Sequence, residues 1–238
     1  LRRQYPRDPR RSRGGSGLMV AVVFDLDGTL IHSTLDIQAA VNRMLAGEGA
    51  EPLDLAAVTS FVGNGLPKLV ERVIAARGLP AGDHARLTRV TLGYYTEAPS
   101  ALTHPYPGVI AALMALTAAG HRLGICTNKP EVPARAILAD LGLAGFFASV
   151  VGGDRLTLPK PDPAMLHLSV AELGGGTAVF VGDSEVDAAT AEAAGLPFAL
   201  YTEGYRKSPV AEMPHDAAFA DFAELPGVVS RLAARLAA

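Results

Sequence analysis

The chain has 238 residues, 49% of them hydrophobic, and a formal charge of −3 at pH 7, which is enough apolar material for one large α/β domain or for a domain with a smaller partner. So small a net charge excludes a general attraction to nucleic acid or anionic membranes, and no apolar run is long enough to cross a bilayer. The single cysteine excludes an intramolecular disulfide and points to a reducing, cytoplasmic setting.

Residues 1–18 are dominated by arginine, proline, glycine and serine and lack the apolar centre of a signal peptide. They read as a disordered leader or an extension, with Met19 as the natural start. The stretch AVVFDLDGTL (21–30) then supplies an apolar strand, Val22, Val23 and Phe24, of the kind buried on both faces of a parallel sheet. It surfaces in Asp25 and Asp27, two carboxylates that repel each other and resist desolvation. Gly28 and Thr29 break the strand.

Residues 34–105 contain no convincing strand. Ile37, Ala40, Val41, Met44 and Leu45 fall at helical spacing, as do Leu66, Leu69, Val70, Val73 and Ile74, and Leu87, Val90, Tyr94 and Tyr95. This predicts a helical unit inserted just after the first strand. Within it Gly63, Asn64 and Gly65 precede a helical stripe. Their N–H groups suit either an anion-holding turn, with Lys68 nearby, or only a tight connection. HPYPGV (104–109) reads as a proline-stiffened, hinge-like linker back to the core.

From there strands and helices alternate. HRLGICT (121–127), ASVVGG (148–153), TAVFVGD (177–183) and PFALY (197–201) read as buried strands, separated by helical stripes that stop at Gly120, Gly142 and Gly174. The rhythm predicts a doubly wound, Rossmann-like parallel sheet. The core spans residues 19–33 and 106–238, and 34–105 form the inserted helical cap.

Ligands of open α/β sheets bind beyond the carboxyl ends of the strands. Those ends carry Asp25 and Asp27; Thr127, Asn128 and Lys129; Gly152, Gly153 and Asp154, with Lys160 soon after; and Asp183, with Asp187 one helical turn on. Taken singly, the aspartates could cap turns or helix starts, Thr127 could be an N-cap and Lys160 a solvated lysine. Taken together, carboxylates without histidine or cysteine favour a hard, oxygen-seeking cation, and Mg²⁺ pairs such carboxylates with phosphate oxygens. A lysine and a hydroxyl would hold the remaining phosphate oxygens, a set suited to phosphoryl transfer. Cys126 has no arginine at the spacing of a thiol phosphatase, where Val132 stands, and reads as a core thiol. Glu185 reads as solvated.

DLDGT (25–29), ICTN (125–128), Lys160 in LPKPDP (158–163) and GDSEVD (182–187) resemble, in order and at strand ends, the four motifs of the haloacid dehalogenase-like hydrolase superfamily. CTNKP (126–130) and FVGNGLPKLVER (61–72) are similar to bacterial phosphoglycolate phosphatases within it. The resemblance implies that Asp25 is the nucleophile, Asp27 the general acid and base, and that Thr127 and Lys160 hold the phosphoryl group, with Asn128 among the substrate-binding positions. It implies Mg²⁺ bound by Asp25, the Asp27 carbonyl and Asp183, with Asp187 supporting metal waters or orienting Lys160. Family dehalogenases lack an aspartate at the position of Asp27. His32 departs from the pattern, since related phosphatases often carry aspartate there, and reads as a surface residue on a flap.

The expected function is therefore hydrolysis of a small phosphorylated metabolite, 2-phosphoglycolate first, by a cytoplasmic monomer or homodimer. Gly63, Asn64, Gly65 and Lys68 would hold the substrate carboxylate. The alternatives are a sugar-phosphate or nucleotide phosphatase, then a phosphomutase, then a silent phospho-ligand-binding module. The presence of an acid/base aspartate beside a nucleophile argues against the last.

Overall fold

A computed structural model describes residues 19–236; the leader expected over residues 1–18 lies outside the described residues. Among the described residues eight strands form, β1 Ala21–Phe24, β2 Ile31–His32, β3 His104–Pro105, β4 Arg122–Cys126, β5 Phe147–Val151, β6 Ala178–Gly182, β7 Phe198–Tyr201 and β8 Ala217–Phe219. Six of them make one sheet in the order β5-β4-β1-β6-β7-β8, and every pairing within it is parallel. The chain runs outward from β1 through β4 to β5, then returns to the other side of β1 for β6, β7 and β8. That reversal makes a topological switch point beside β1, where doubly wound folds bind their ligands.

The sheet is buried on both faces, and its strands sort their side chains by the two-residue period. Val22 and Phe24 of β1 and Val179 and Val181 of β6 enter one apolar cluster, whereas Ala21, Val23, Ala178 and Phe180 enter the other. The first cluster packs on helices α5 (Val109–Ala118), through Leu113 and Leu116, and α9 (Leu225–Leu236), through Val228 and Leu232. The second packs on α7 (Ala164–Glu172), through Met165 and Leu166, and α8 (Glu185–Ala194), through Ala188 and Ala191. Helix α6, Glu131–Asp140, follows β4.

Between β2 and β3 the chain makes four helices, α1 Thr34–Gly47, α2 Leu55–Phe61, α3 Leu66–Arg77 and α4 His84–Glu97. Val41 and Leu45, Val70 and Val73, and Leu87 continue the first apolar cluster into this unit. Helix α2 has only seven residues, too few for a periodic stripe, and rests on an Asp54 cap that accepts from Ala57 N at 2.8 Å. His104 and Pro105, expected in a linker, instead pair antiparallel with His32 and Ile31. This two-residue ladder closes the entry and exit of the helical unit, and two residues carry no detectable period. His32 stacks on His104 with ring centroids 5.4 Å apart and meets Tyr106 and Tyr205 edge-on. It is half-buried, not the surface flap residue expected, and burial followed by His104 lowers its pKa.

Candidate active site

The strand order brings the motifs together: β1 ends in Asp25, its neighbour β4 runs into Thr127, and its other neighbour β6 runs into Asp183. Asp25 N donates to Val181 O at 2.9 Å and Thr127 N to Val151 O at 3.1 Å, so both residues leave the sheet still held by its ladder. After Asp25 the chain turns tightly, with Leu26 O accepting from Leu30 N at 3.0 Å and Ile31 N at 3.1 Å. Gly28 has φ of 90°, and a Cβ there would strike the Asp183 carboxylate. A Cβ on Gly204 would strike Asp183 as well, so two backbone segments close around this one side chain.

Asp183 is 1% exposed. Its Oδ1 accepts from Thr29 Oγ1 at 2.7 Å and its Oδ2 from Tyr205 N at 2.6 Å. Asp187 opens α8 in a reciprocal capping box with Ser184, whose hydroxyl donates to Asp187 Oδ2 at 2.6 Å. Its other oxygen, Oδ1, accepts from Lys160 Nζ at 2.6 Å. Lys160 Nζ also lies 3.0 Å from Asp25 Oδ1, outside hydrogen-bonding direction, so that Asp25 Oδ1 is buried without a hydrogen bond among the described residues. Burial alone would lower the Lys160 pKa, but Asp187 and Asp25 outweigh it and keep the ammonium protonated. Burial, reinforced by the charge of Asp187, pushes the Asp25 carboxyl up to about 7, and burial with Asp187 and Asp25 raises Asp183.

Asp25, Asp183 and Asp187 each bring one carboxylate oxygen within 4.8 Å of the others. Three buried carboxylates beside one ammonium leave an excess of negative charge, and Asp25 Oδ1 has no hydrogen bond among the described residues. An all-oxygen donor set of this kind fits a hard cation. Asp187, with both oxygens engaged, is better placed to orient Lys160.

Asp27 points to the other side. Lys129 Nζ donates to both of its oxygens at 2.9 Å and Ser33 Oγ to Oδ1 at 2.5 Å. Lys129 is buried and stands over the Tyr95 ring, 4.6 Å from its centroid. Thr127 is 1% exposed, with Oγ1 accepting from Lys129 N at 3.2 Å.

Asn128 is committed elsewhere. Its Nδ2 donates to Gly63 O and to Lys160 O, both at 3.1 Å, and its Oδ1 accepts from Lys160 N at 2.8 Å. With its amide hydrogen-bonded to backbone, Asn128 ties the helical unit and the Lys160 loop to the sheet edge, and it also lines the larger cavity described below. Lys68 also stands apart: it is exposed, pairs with Glu71 at 2.7 Å and lines neither cavity described below. Asn64 Oδ1 accepts from Arg72 at 2.9 Å. Asp154 caps α6 by accepting from Glu131 N at 2.8 Å, so the strand-end carboxylates at the site number four without it. Glu185 is not free in solvent but accepts from Lys207 N at 2.7 Å and Ser208 N at 2.6 Å. The Cys126 thiol is buried and pushed up to about 12 by that burial, so it stays protonated.

A cavity of about 70 Å³ lies between the sheet edge and the helical unit. Asp25, Asp27, Thr127 and Lys129 line it on one side and Ile37, Val62, Gly63, Gly65, Leu66, Leu69 and Tyr95 on the other. A smaller one, about 20 Å³, reaches Asp183, Glu185, Tyr205 and Lys207 past Gly63 and Asn64. Sequence reasoning placed Lys129 at the strand edge without giving it a role, and it missed Ser33, Tyr95 and Tyr205 as members of the site. Lys129 stood in the open beside Thr127, but nothing local marks a lysine whose partner lies 102 residues away.

A family model described as haloacid dehalogenase-like hydrolase matches residues 19–195. A phosphoglycolate phosphatase of Cereibacter sphaeroides (strain ATCC 17025 / ATH 2.4.3) is 53% identical over 218 residues, covering 91% of this chain and all of that one. A phosphoglycolate phosphatase of Rhodospirillum rubrum is 49% identical over 86% of this chain and 88% of its own. Among solved structures, a predicted phosphoglycolate phosphatase from Haemophilus somnus 129PT superposes with a TM-score of 0.83 at 30% identity, over 90% of this chain and 100% of that one.

Proposed function

The chain belongs to the haloacid dehalogenase-like hydrolase family, and within it we propose a Mg²⁺-dependent phosphatase that cleaves 2-phosphoglycolate to glycolate and phosphate. The observation that carries the chemistry is the placement of Asp25 between Lys160, Thr127 and Asp183 at the switch point, with Asp27 on the cavity side. Asp25 attacks phosphorus; the Asp25–phosphorus bond forms as the bond to the leaving oxygen breaks, and Asp27 gives that oxygen its proton. Water then attacks the aspartyl-phosphate, passes a proton to Asp27 and releases phosphate and free Asp25. Lys160, held by Asp187, and Thr127 Oγ1 keep the phosphoryl oxygens in place throughout. Asp25, Asp183 and the Asp27 carbonyl hold Mg²⁺, which when bound offsets the charge gathered on the phosphoryl oxygens.

The substrate reading is supported by the relatives and by size. At 10–15 Å³ per water, a 70 Å³ cavity takes about five to seven water-sized groups, which favours a short leaving group. The helical unit acts as a cap, and Asn128 with the β2–β3 ladder links its position to the catalytic edge.

Phosphate release from 2-phosphoglycolate, hexose phosphates, nucleoside monophosphates and pyrophosphate, each with Mg²⁺ and with EDTA, tests this. Metal-dependent turnover concentrated on phosphoglycolate is expected; equal turnover across the panel would retire the substrate and keep the mechanism.

The acidic cluster gives a second expectation. An Asp25 carboxyl raised to about 7 favours the folded state while protonated, so in EDTA that contribution is lost as pH climbs from about 4 to about 7. It amounts at most to about 4 kcal/mol. Mg²⁺ is expected to raise the melting temperature more at pH 8 than at pH 5. An equal shift at both would mean that the cluster does not bind it.

A further inference from the structure

The larger cavity holds a cation that the phosphoryl chemistry does not use. Among the residues lining it, Lys129 is the only one with a cationic side chain, and that side chain is 5% exposed. Lys160, by contrast, is held by Asp25 and Asp187 beside the nucleophile, where it serves the phosphoryl group. Beside Lys129 stands Tyr95 of α4, itself 7% exposed, whose ring lies against the ammonium at 4.6 Å and whose buried hydroxyl has no hydrogen-bond partner among the described residues. An unsatisfied buried hydroxyl costs about 1–3 kcal/mol, and beside a cavity its natural partner is a ligand.

The distances connect this corner to the reaction. A general acid stands about 2.6–3.2 Å from the oxygen it protonates, and Lys129 Nζ is 2.9 Å from both oxygens of Asp27. A group two bonds beyond the leaving oxygen therefore falls within reach of the ammonium and of the helix α4 hydroxyl above it. Ile37, Leu66 and Leu69 are apolar, and Gly63, Gly65, Thr91 and Asn128 of the same lining bring no positive charge.

We propose that Lys129 and Tyr95 form the carboxylate subsite, binding the acid group of the leaving alkoxide together at the corner where the sheet edge meets α4. The sequence had suggested Gly63–Gly65 and Lys68 for this task. The assignment rests on phosphoglycolate being the substrate, and it makes Lys129 and Tyr95 the residues that set specificity. Because Tyr95 comes from the cap and Lys129 from the sheet edge, the subsite is complete only when the two units are together. A substrate carboxylate thus favours the closed arrangement that brings Asp27 to the leaving oxygen.

The test compares kcat/KM for 2-phosphoglycolate and for ethyl phosphate, which has the same two-carbon length without the carboxylate. It uses wild type, Lys129→Met, Tyr95→Phe, and Lys207→Met on the smaller cavity as control. The preference for phosphoglycolate is expected to fall about tenfold in Tyr95→Phe and about a hundredfold in Lys129→Met, mostly through KM, as losses of one neutral and one charged donor to an anion. In Lys207→Met the preference should stay within about twofold of wild type. Lys129→Met strips Asp27 of its partner and can lower folding yield, in which case Tyr95→Phe decides alone. A preference unchanged in Tyr95→Phe, or abolished in Lys207→Met, overturns the subsite while leaving phosphoglycolate as substrate. A wild type without any preference overturns the substrate assignment and the subsite together.

Discussion

Asp25→Asn is expected to lower phosphate release at least about 10⁴-fold, the scale on which removal of a covalent nucleophile acts, and at the same time to make the metal-free protein more stable. The two effects share one cause. Asp25 is buried, with one oxygen that lacks a hydrogen bond and a carboxyl pushed up to about 7 by burial and by Asp187. An amide of the same shape carries no ionisation penalty, and Lys160 keeps its hydrogen bond to Asp187 Oδ1. In EDTA at pH 8 the melting temperature is expected to rise by a few degrees, and the gain should shrink at pH 5, where wild-type Asp25 is protonated. Calorimetry at the two pH values, beside the phosphate assay, checks both halves. Turnover above about 1% of wild type would remove Asp25 as nucleophile. A fall in melting temperature would mean that the carboxylate cluster is not strained by its own charge. Such an opposition of stability and activity is what a site built from like charges must show.

Lys160→Met should move both quantities down. Lys160 is the counter-cation of the cluster, with its side chain 1% exposed and contacts to Asp187 at 2.6 Å and Asp25 at 3.0 Å. Removing one partner of a buried ion pair costs about 3–5 kcal/mol, near 10 °C for a chain of this size. Loss of a cation aimed at the phosphoryl group costs a further ~10²–10³ in kcat. The informative comparison is the double variant Lys160→Met with Asp187→Asn, which withdraws the stranded charge. Its melting temperature should recover at least half of the loss while its turnover stays low, since the amide repairs the charge balance and not the phosphate grip. If the double variant is no more stable than Lys160→Met, burial of an unpaired carboxylate is not the source of the instability.

How far these residues could be read without coordinates follows from the range of the forces that place them. The strands were legible because alternate side chains of Val22, Val23, Phe24 and of Ala178 to Val181 must bury on both faces, which leaves unbroken apolar runs. The helices α1, α3 and α4 were legible from stripes at helical spacing, and α3 and α8 end at Gly78 and Gly195 with φ of 63° and 64°. Asp25, Asp27, Thr127, Lys160 and Asp183 were legible because each sits at or near the end of such a strand, a position fixed by local chain geometry. Helix α2, the β2–β3 ladder and β8 are too short to impose a period.

Which partner each charged group takes was not legible. Asp27 pairs with Lys129 across 102 residues and Asn128 spends its amide on backbone at Gly63 and Lys160, while the Asp187–Lys160 pair entered only as one of two roles that the family resemblance implied. Lys68 looked like the cap's anion holder, yet it pairs with Glu71 three residues on, while Tyr95, one apolar position in a helical stripe, faces the cavity. The sequence by itself determined the layered α/β core, the inserted helices and the set of reactive groups at the strand ends, since hydrophobic period and turn chemistry act over a few residues. Only the tertiary structure decided the strand order, the sorting of four carboxylates between two lysines and the walls of the cavity, because ion pairing and burial depend on distance in space and not on separation along the chain.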